Sequence, residues 1–295
     1  MLIPTFTDTN VILGLFIVNS GKKLALQVLN INFVHNKVKR TIINIAKLFY
    51  SSVIPNNRKL NKLSSQWITG FCDGESSFII SIYKNKKLKT GWIISPYFSI
   101  HLQGKDIALL RRIQAYFGVG TIRLSKSDKS LIYSVNSIKD ITNIIIPHFD
   151  KYPLLTQKKA DFLLFKSAIC LINKKEHLTI EGLKNIVNIR ASMNKGLTDI
   201  WSLSFTDISP VKRPKIESTN IIDPNWLIGF IDAEGSFGID LAKSAVKMGY
   251  RVRLKFTITH DPPDHELMKT LVNYLGCGWL YIEKNKSIVY FSVSV

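Results

Sequence analysis

Two glutamates, Glu75 and Glu234, are the residues whose placement most invites chemistry. Each belongs to a copy of one segment: WITGFCDGESSFIISIYK at 67–84 realigns with WLIGFIDAEGSFGIDLAK at 226–243, and nine of eighteen positions are identical. A helix through each copy puts its glutamate at the C-terminal end, where the helix dipole opposes a carboxylate by roughly 0.3–1 kcal/mol. If the two helices touch, the carboxylates also repel each other, and something positive must sit between them. A divalent cation with oxygen ligands, Mg²⁺ by default, meets that need and would activate water beside a phosphate. The same two carboxylates also allow a metal-free acid/base pair working on a neutral substrate.

The elements that must position these acids are readable from the same repeat. Gly70 and Gly74, matched by Gly229 and Ala233, are spaced i, i+4 and leave a bare stripe along each helix. Glycine costs about 1 kcal/mol in a helix interior, so its matched use predicts close helix-to-helix contact about a pseudo-twofold axis. Asp73 and Asp232 precede the glutamates by two residues and are read as caps or buried hydrogen-bond acceptors. Trp67, Phe71 and Phe78, with their partners Trp226, Phe230 and Phe237, are read as core. The register continues with a one-residue slip, Phe98 and Ile100 falling on Phe256 and Ile258, and Gly118 and Gly120 on Gly276 and Gly278.

Each copy therefore reads helix, strand, strand, helix, strand, strand. Asp223 and Pro224 are a helix start, with Asp as N-cap and Pro at the first helical position. Val252, Leu254, Phe256 and Ile258 alternate with Arg251, Arg253, Lys255 and Thr257, which predicts a strand with one oily and one cationic face. Phe98, Ile100 and Leu102 alternate with Tyr97, Ser99 and His101 in the same way. The first repeat is expected over 67–197, closed by helices in 154–173 and 180–195, and the second over 226–295. A polar, proline-punctuated linker joins them at 198–225. Nothing in the second repeat matches the closing helices, so the back of its sheet is expected to lie exposed.

With 295 residues, 46% of them hydrophobic, the chain is no disordered tail. A formal charge of +19 calls for a polyanionic partner, nucleic acid first and an anionic membrane surface second. It also argues against a neutral substrate. The apolar run at 11–18 is far too short to span a bilayer. Cys72, Cys170 and Cys277 are odd in number and widely spaced, so neither a disulfide framework nor a thiolate zinc site is indicated, and they are read as reduced and packed. Residues 1–66 hold one acid, Asp8, and are read as a basic leader, an organellar import signal, or translated sequence upstream of the domain. The wealth of Lys, Ile and Asn is what AT-rich organellar codons produce.

ITGFCDGES at 68–76 and LIGFIDAEG at 227–235 resemble the two nine-residue signatures of the LAGLIDADG homing endonucleases, in the single-chain, two-motif form encoded in fungal mitochondrial introns. The resemblance covers roughly 67–295, with Ser76 in place of the last signature glycine. It implies an α/β (α+β) monomer of two pseudo-symmetric αββαββα repeats, the second truncated, forming a saddle whose antiparallel sheets lie along the major groove of double-stranded DNA. Glu75 and Glu234 would hold Mg²⁺ and cleave both strands of a long asymmetric site across the minor groove, leaving short 3′ overhangs, in the mitochondrion. Lys126 and Lys284 match each other as basic catalytic residues, and His260 stands where some relatives carry glutamine. The outward positions Arg251, Arg253, Lys255, Thr257, Tyr83, Tyr97, Ser99, His101, Arg123 and Ser125 become the DNA contacts. The same resemblance admits an RNA-binding maturase serving a host group I intron, or an inactive remnant of the endonuclease.

Overall fold

The computed structural model describes residues 62–295 apart from 126–127, 129, 198–200, 202–203, 206, 218–222, 244–248, 284, 286 and 295. The reading of the basic N-terminal segment falls almost wholly outside the described residues. Helix α1 (Ser65–Glu75) runs straight into β1 (Ser76–Lys84), which pairs antiparallel with β2 (Trp92–Leu102). Helix α2 (Ile107–Phe117) stops at Gly118, whose φ of 70° is a left-handed cap open to glycine without steric cost. Strands β3 (Thr121–Leu124) and β4 (Leu131–Val135) follow, then a helical stretch α3 over 138–151, α4 (Lys158–Asn173) and α5 (Ile180–Ala191).

The second half repeats the order. Helix α6 (Pro224–Glu234) starts where Asp223 accepts from Asn225 N at 2.8 Å, with Pro224 at the first helical position. Strands β5 (Gly235–Lys243) and β6 (Tyr250–His260), helix α7 (His265–Leu275), and strands β7 (Trp279–Glu283) and β8 (Ile288–Ser294) complete it. Each half builds one four-stranded antiparallel sheet, ordered β1-β2-β4-β3 and β5-β6-β8-β7. Matched phenylalanines hold matched registers, Phe78 opposite Phe98 and Phe237 opposite Phe256. The fold is α+β, made of two repeated halves.

The halves are supported unequally. In the first, Phe78 is fully buried among Phe98, Phe149, Phe162 and Phe165, with ring centroids 5.3–5.5 Å away, because α3 and α4 cover that face of the sheet. The edge carbonyls of β1 are also taken: Arg190 Nε donates to Ile80 O at 3.1 Å and Asn194 Nδ2 to Phe78 O at 3.0 Å. In the second sheet α7 covers Ile258, Val289 and Phe291, but no described helix takes the place of α3 and α4 over the rest of that face. Phe237 is 42% exposed where its counterpart Phe78 is 0%, and Leu241 is 43% exposed where Ile82 is 1%. Val252 and Leu254 stand open as well. The core assignment of Phe237 is thus corrected: alternation finds the oily face, but burial needs a covering layer.

Residues of the expected linker are fastened to the first half. Trp201, Phe205, Ile208 and Val211 pack on its core, and Arg213 grips Asp161 with two hydrogen bonds of 2.6 and 2.9 Å. Among the cysteines only Cys72 is packed; Cys170 and Cys277 are exposed, a correction to the reading of all three as buried. No helix among the described residues is long and apolar enough to cross a membrane.

Candidate active site

Helices α1 and α6 lie side by side and point the same way, so their C-terminal tips meet. Bare glycine makes the approach possible. A methyl built on Gly70 would overlap the Trp226 carbonyl oxygen, and one on Gly229 would overlap the Trp67 carbonyl oxygen. Gly74 faces side chains instead, the Ala233 Cβ and the Glu234 carboxylate. The contact is locked reciprocally: Trp67 Nε1 donates to Asp232 Oδ2 at 2.9 Å, and Trp226 Nε1 to Asp73 Oδ2 at 2.7 Å. Each indole thus reaches across to the acid of the other signature.

The two aspartates differ in their remaining partners. Asp73 also accepts from Leu155 N at 3.0 Å, Thr156 N at 3.1 Å and Thr156 Oγ1 at 2.6 Å. Burial raises its carboxyl nonetheless, against the pull of those donors. Burial likewise pushes Asp232 up, to about 6, with Trp67 and the charge of Arg112 working the other way.

Glu75 and Glu234 close α1 and α6, so both carboxylates sit at the junction of the tips. A methyl built on Gly74 would stand 2.9 Å from Glu234 Oε1, which places the acid of one half beside the helix end of the other. Burial, then the charge of Glu234, pushes Glu75 up to about 7. Burial raises Glu234 too, countered by His260 and Lys158. Two carboxylates raised in this way form a site short of positive charge. Their oxygen donors fit a hard divalent cation that keeps water or substrate oxygens as its other ligands. No group of three or more His, Cys, Asp or Glu able to hold a metal forms among the described residues.

Two basic groups attend the acids. Lys158, the first residue of α4, donates from Nζ to Gly74 O at 2.6 Å and Cys72 O at 3.0 Å. His260 Nδ1 stands 3.0 Å from Asp264 Oδ2, a contact of charge more than an aligned hydrogen bond, and Asp264 Oδ1 accepts from Gln157 N at 2.7 Å. Burial pulls His260 down, but Asp264 and Glu234 together outweigh it and leave it raised. The position in the first half that matches His260 is Leu102, so the two tips have unlike neighbours.

Sequence reasoning missed Lys158, Gln157 and Asp264. Asp264 could have been found, because Asp106 matches it in the repeat register. Nothing local distinguishes Lys158 from the lysine beside it; its place at the site arises from how α4 docks. Lys126 and Lys284 lie outside the described residues.

Strand register puts the outward candidates on one face of each sheet. Tyr83, His101, Arg123, Arg251, Arg253 and Lys255 are exposed, whereas Tyr97, Ser125 and Thr257 are half-buried. Ser99 is corrected: it is 0% exposed, and its hydroxyl has no hydrogen-bond partner among the described residues. It lies in a cross-strand row with Ser77 and Ser134, where a short side chain in the middle of a sheet sits below its longer neighbours.

Comparison with known proteins agrees with this architecture. Residues 68–169 and 227–295 match the LAGLIDADG endonuclease family. In Neurospora crassa, the probable intron-encoded endonucleases 3 and 2 are 44% and 39% identical over 230 and 244 residues, 77% and 79% of this chain. The chain spans only 43% and 52% of those relatives. The solved structure of the LAGLIDADG homing endonuclease I-SmaMI bound to cleaved DNA is 40% identical, with a TM-score of 0.77 over 79% of this chain and 78% of that one. I-LtrWI bound to its target DNA is 36% identical, with a TM-score of 0.76 over 78% of each chain. Paired signature helices, matched acid tips and twin antiparallel sheets thus occur in a chain that belongs to the LAGLIDADG endonuclease family.

Proposed function

We propose that this protein is a site-specific, metal-dependent DNA endonuclease that cuts both strands of a long asymmetric target. The observation that carries this reading is the meeting of Glu75 and Glu234 at the α1–α6 junction, between two sheets whose outer faces carry exposed Arg123, Arg251, Arg253 and Lys255. Cationic strand faces neutralise phosphates and read base edges, and two sheets related by a pseudo-twofold axis follow a duplex on both sides of its centre. The acid pair then lies over the central base pairs, one carboxylate for each strand, within reach of the minor groove.

In this mechanism Glu75 and Glu234 are the residues that would hold Mg²⁺. Such an ion would supply stabilisation of phosphate charge and a more acidic water. Every other role belongs to the chain. Trp67–Asp232 and Trp226–Asp73 keep the helices in register, so that the two acids keep their places at the junction. His260, oriented by Asp264, and Lys126 and Lys284 are the basic groups proposed to order water and phosphate oxygens. The relatives' names and the chain's wealth of Lys, Ile and Asn support an intron-encoded origin and a mitochondrial site of action.

The test is cleavage of a duplex carrying the matching intron-insertion sequence by purified, folded protein with Mg²⁺. Glu75→Gln and Glu234→Gln should each lower cleavage by about 100-fold or more while leaving DNA affinity in EDTA unchanged. Folded protein that binds such a duplex and leaves both strands intact would overturn the reading.

A further inference from the structure

We infer that the two sheets read chemically unlike halves of the target: the first a thymine-rich half-site, through apolar contact with C5-methyl groups, and the second a half-site holding guanines. The inference rests on the DNA target proposed above and specifies it. What carries it is the divergence of matched cross-strand rows on the outward sheet faces. Strands β1 and β5 leave the tips of α1 and α6 directly, so the rows can be counted outward from the acids. The row nearest the tips bears hydroxyls in both halves, Ser77 opposite Ser99 and Ser236 opposite Thr257. Beyond it the halves part. Ile79 opposite Tyr97 becomes Gly238 opposite Lys255, Ser81 opposite Ser95 becomes Asp240 opposite Arg253, and Tyr83 opposite Ile93 becomes Ala242 opposite Arg251. Three successive rows are uncharged in the first half, and each holds a cation in the second.

These side chains are open to a ligand. Tyr83 is 55% and Ile93 39% exposed, Ile79 and Tyr97 are half-buried, and Asp240, Arg251, Arg253 and Lys255 are all exposed. Rows two residues apart lie about 7 Å from each other, roughly two base-pair steps, so three rows span about six base pairs. In the major groove only thymine presents a methyl group, which isoleucine and tyrosine can cover, while serine hydroxyls suit any base. Arginine and lysine instead match the paired acceptors of guanine, and a carboxylate such as Asp240 accepts from the cytosine amino group. Phosphate contact in the first half falls to the margin of its sheet, where Lys86, Lys87 and Lys89 in the β1–β2 turn and Arg123 on β3 stand exposed. With charge at the margin and none in the three rows, selectivity there comes from methyl contact.

The experiment selects bound duplexes from a random pool with the full chain in EDTA, so that cleavage plays no part, and then edits the bases of a selected duplex. Repeating the selection with Arg253→Ala, a change at an exposed position, marks the half-site under the second sheet, because a guanine preference there should relax. For the unmodified protein, exchanging thymine for deoxyuridine in the opposite half-site should lower affinity by about 4-fold for each buried methyl lost. The same exchange in the marked half-site should change affinity by less than about 2-fold, since cationic rows gain little from a methyl. There, 7-deazaguanine, which lacks the N7 acceptor, should lower it by about 5-fold or more. Deoxyuridine that is neutral in both half-sites, or equally costly in both, would overturn the inference, as would an Arg253→Ala selection that relaxes no guanine. Duplexes that show the asymmetry and are never cut in Mg²⁺ would refute the endonuclease reading while supporting this one. If the protein selects no sequence at all, both fall.

Discussion

Adding one methyl group at Gly229 is the sharpest way to test whether α1 and α6 meet through their backbones. The alanine Cβ would overlap the Trp67 carbonyl oxygen and stand 2.9 Å from both Trp67 C and Phe71 N, where ordinary contact begins at 3.4 Å. All three atoms are backbone of α1, so no side-chain rotation relieves the clash. The helices must part by about 1 Å, against packing that resists such insertions by about 1–3 kcal/mol. Parting also stretches Trp67–Asp232 and Trp226–Asp73, hydrogen bonds to carboxylates of about 1.5–3 kcal/mol each. The helix-propensity gain from Gly to Ala returns only about 1 kcal/mol. Gly229→Ala should therefore destabilise by about 2–4 kcal/mol in urea unfolding, and Gly70→Ala, facing Trp226 in the same way, by a similar amount. Gly238→Ala in β5 is the control: no described atom lies within 4 Å of its Cβ, and its effect should stay within about 0.5 kcal/mol. Urea midpoints for Gly229→Ala and Gly70→Ala equal to that of Gly238→Ala would refute the backbone contact, and with it the convergence of the acid tips.

Three further outcomes follow from the same geometry. Glu75 is raised from 4.5 to about 7, so the folded protein holds this proton more tightly than the unfolded chain does. Its contribution to stability is full below pH 4.5 and lost as pH rises through 7; in EDTA, Tm should fall across that window, and Glu75→Gln should flatten the slope. Replacing Arg251, Arg253 and Lys255 together by alanine should weaken DNA binding and reduce the slope of log affinity against log salt by about 0.9 for each phosphate no longer neutralised; an unchanged slope would mean that this face does not meet the backbone. On the bare back of the second sheet, Leu254→Lys should cost no measurable stability and should raise the concentration at which the protein aggregates. Ile82→Lys, on the covered back of the first sheet, should unfold that half.

Much of this fold is legible in the sequence because the chain was duplicated. Two copies in register separate the residues that matter from their neighbours: small residues at 70, 74, 229 and 233, acids at 75 and 234, and indoles at 67 and 226. Period-two alternation then identifies which face of β2 and β6 is oily. What periodicity lacks is the third layer. Phe78 and Phe237 read identically along the chain, yet one is sealed by α3 and α4 and the other stands at the surface. Ser99 fails for a related reason, since alternation specifies direction and leaves depth to the neighbouring side chains.

The site shows the same boundary between local and tertiary information. The helix dipole and charge repulsion call for a cation at the tips, and that requirement can be stated from two glutamates alone. Which side chains stand beside them depends on how α4 docks, so Lys158 could not be told from Lys159 by type or spacing. Duplication exposes what the halves share and hides what only one of them has. Here His260, which stands where the first half has Leu102, lies near Glu234, and Lys158, beyond the aligned segments, reaches the end of α1. The two carboxylates are equivalent by descent and inequivalent by environment, which is why Glu75 carries the burden of its partner's charge while Glu234 is relieved by a histidine.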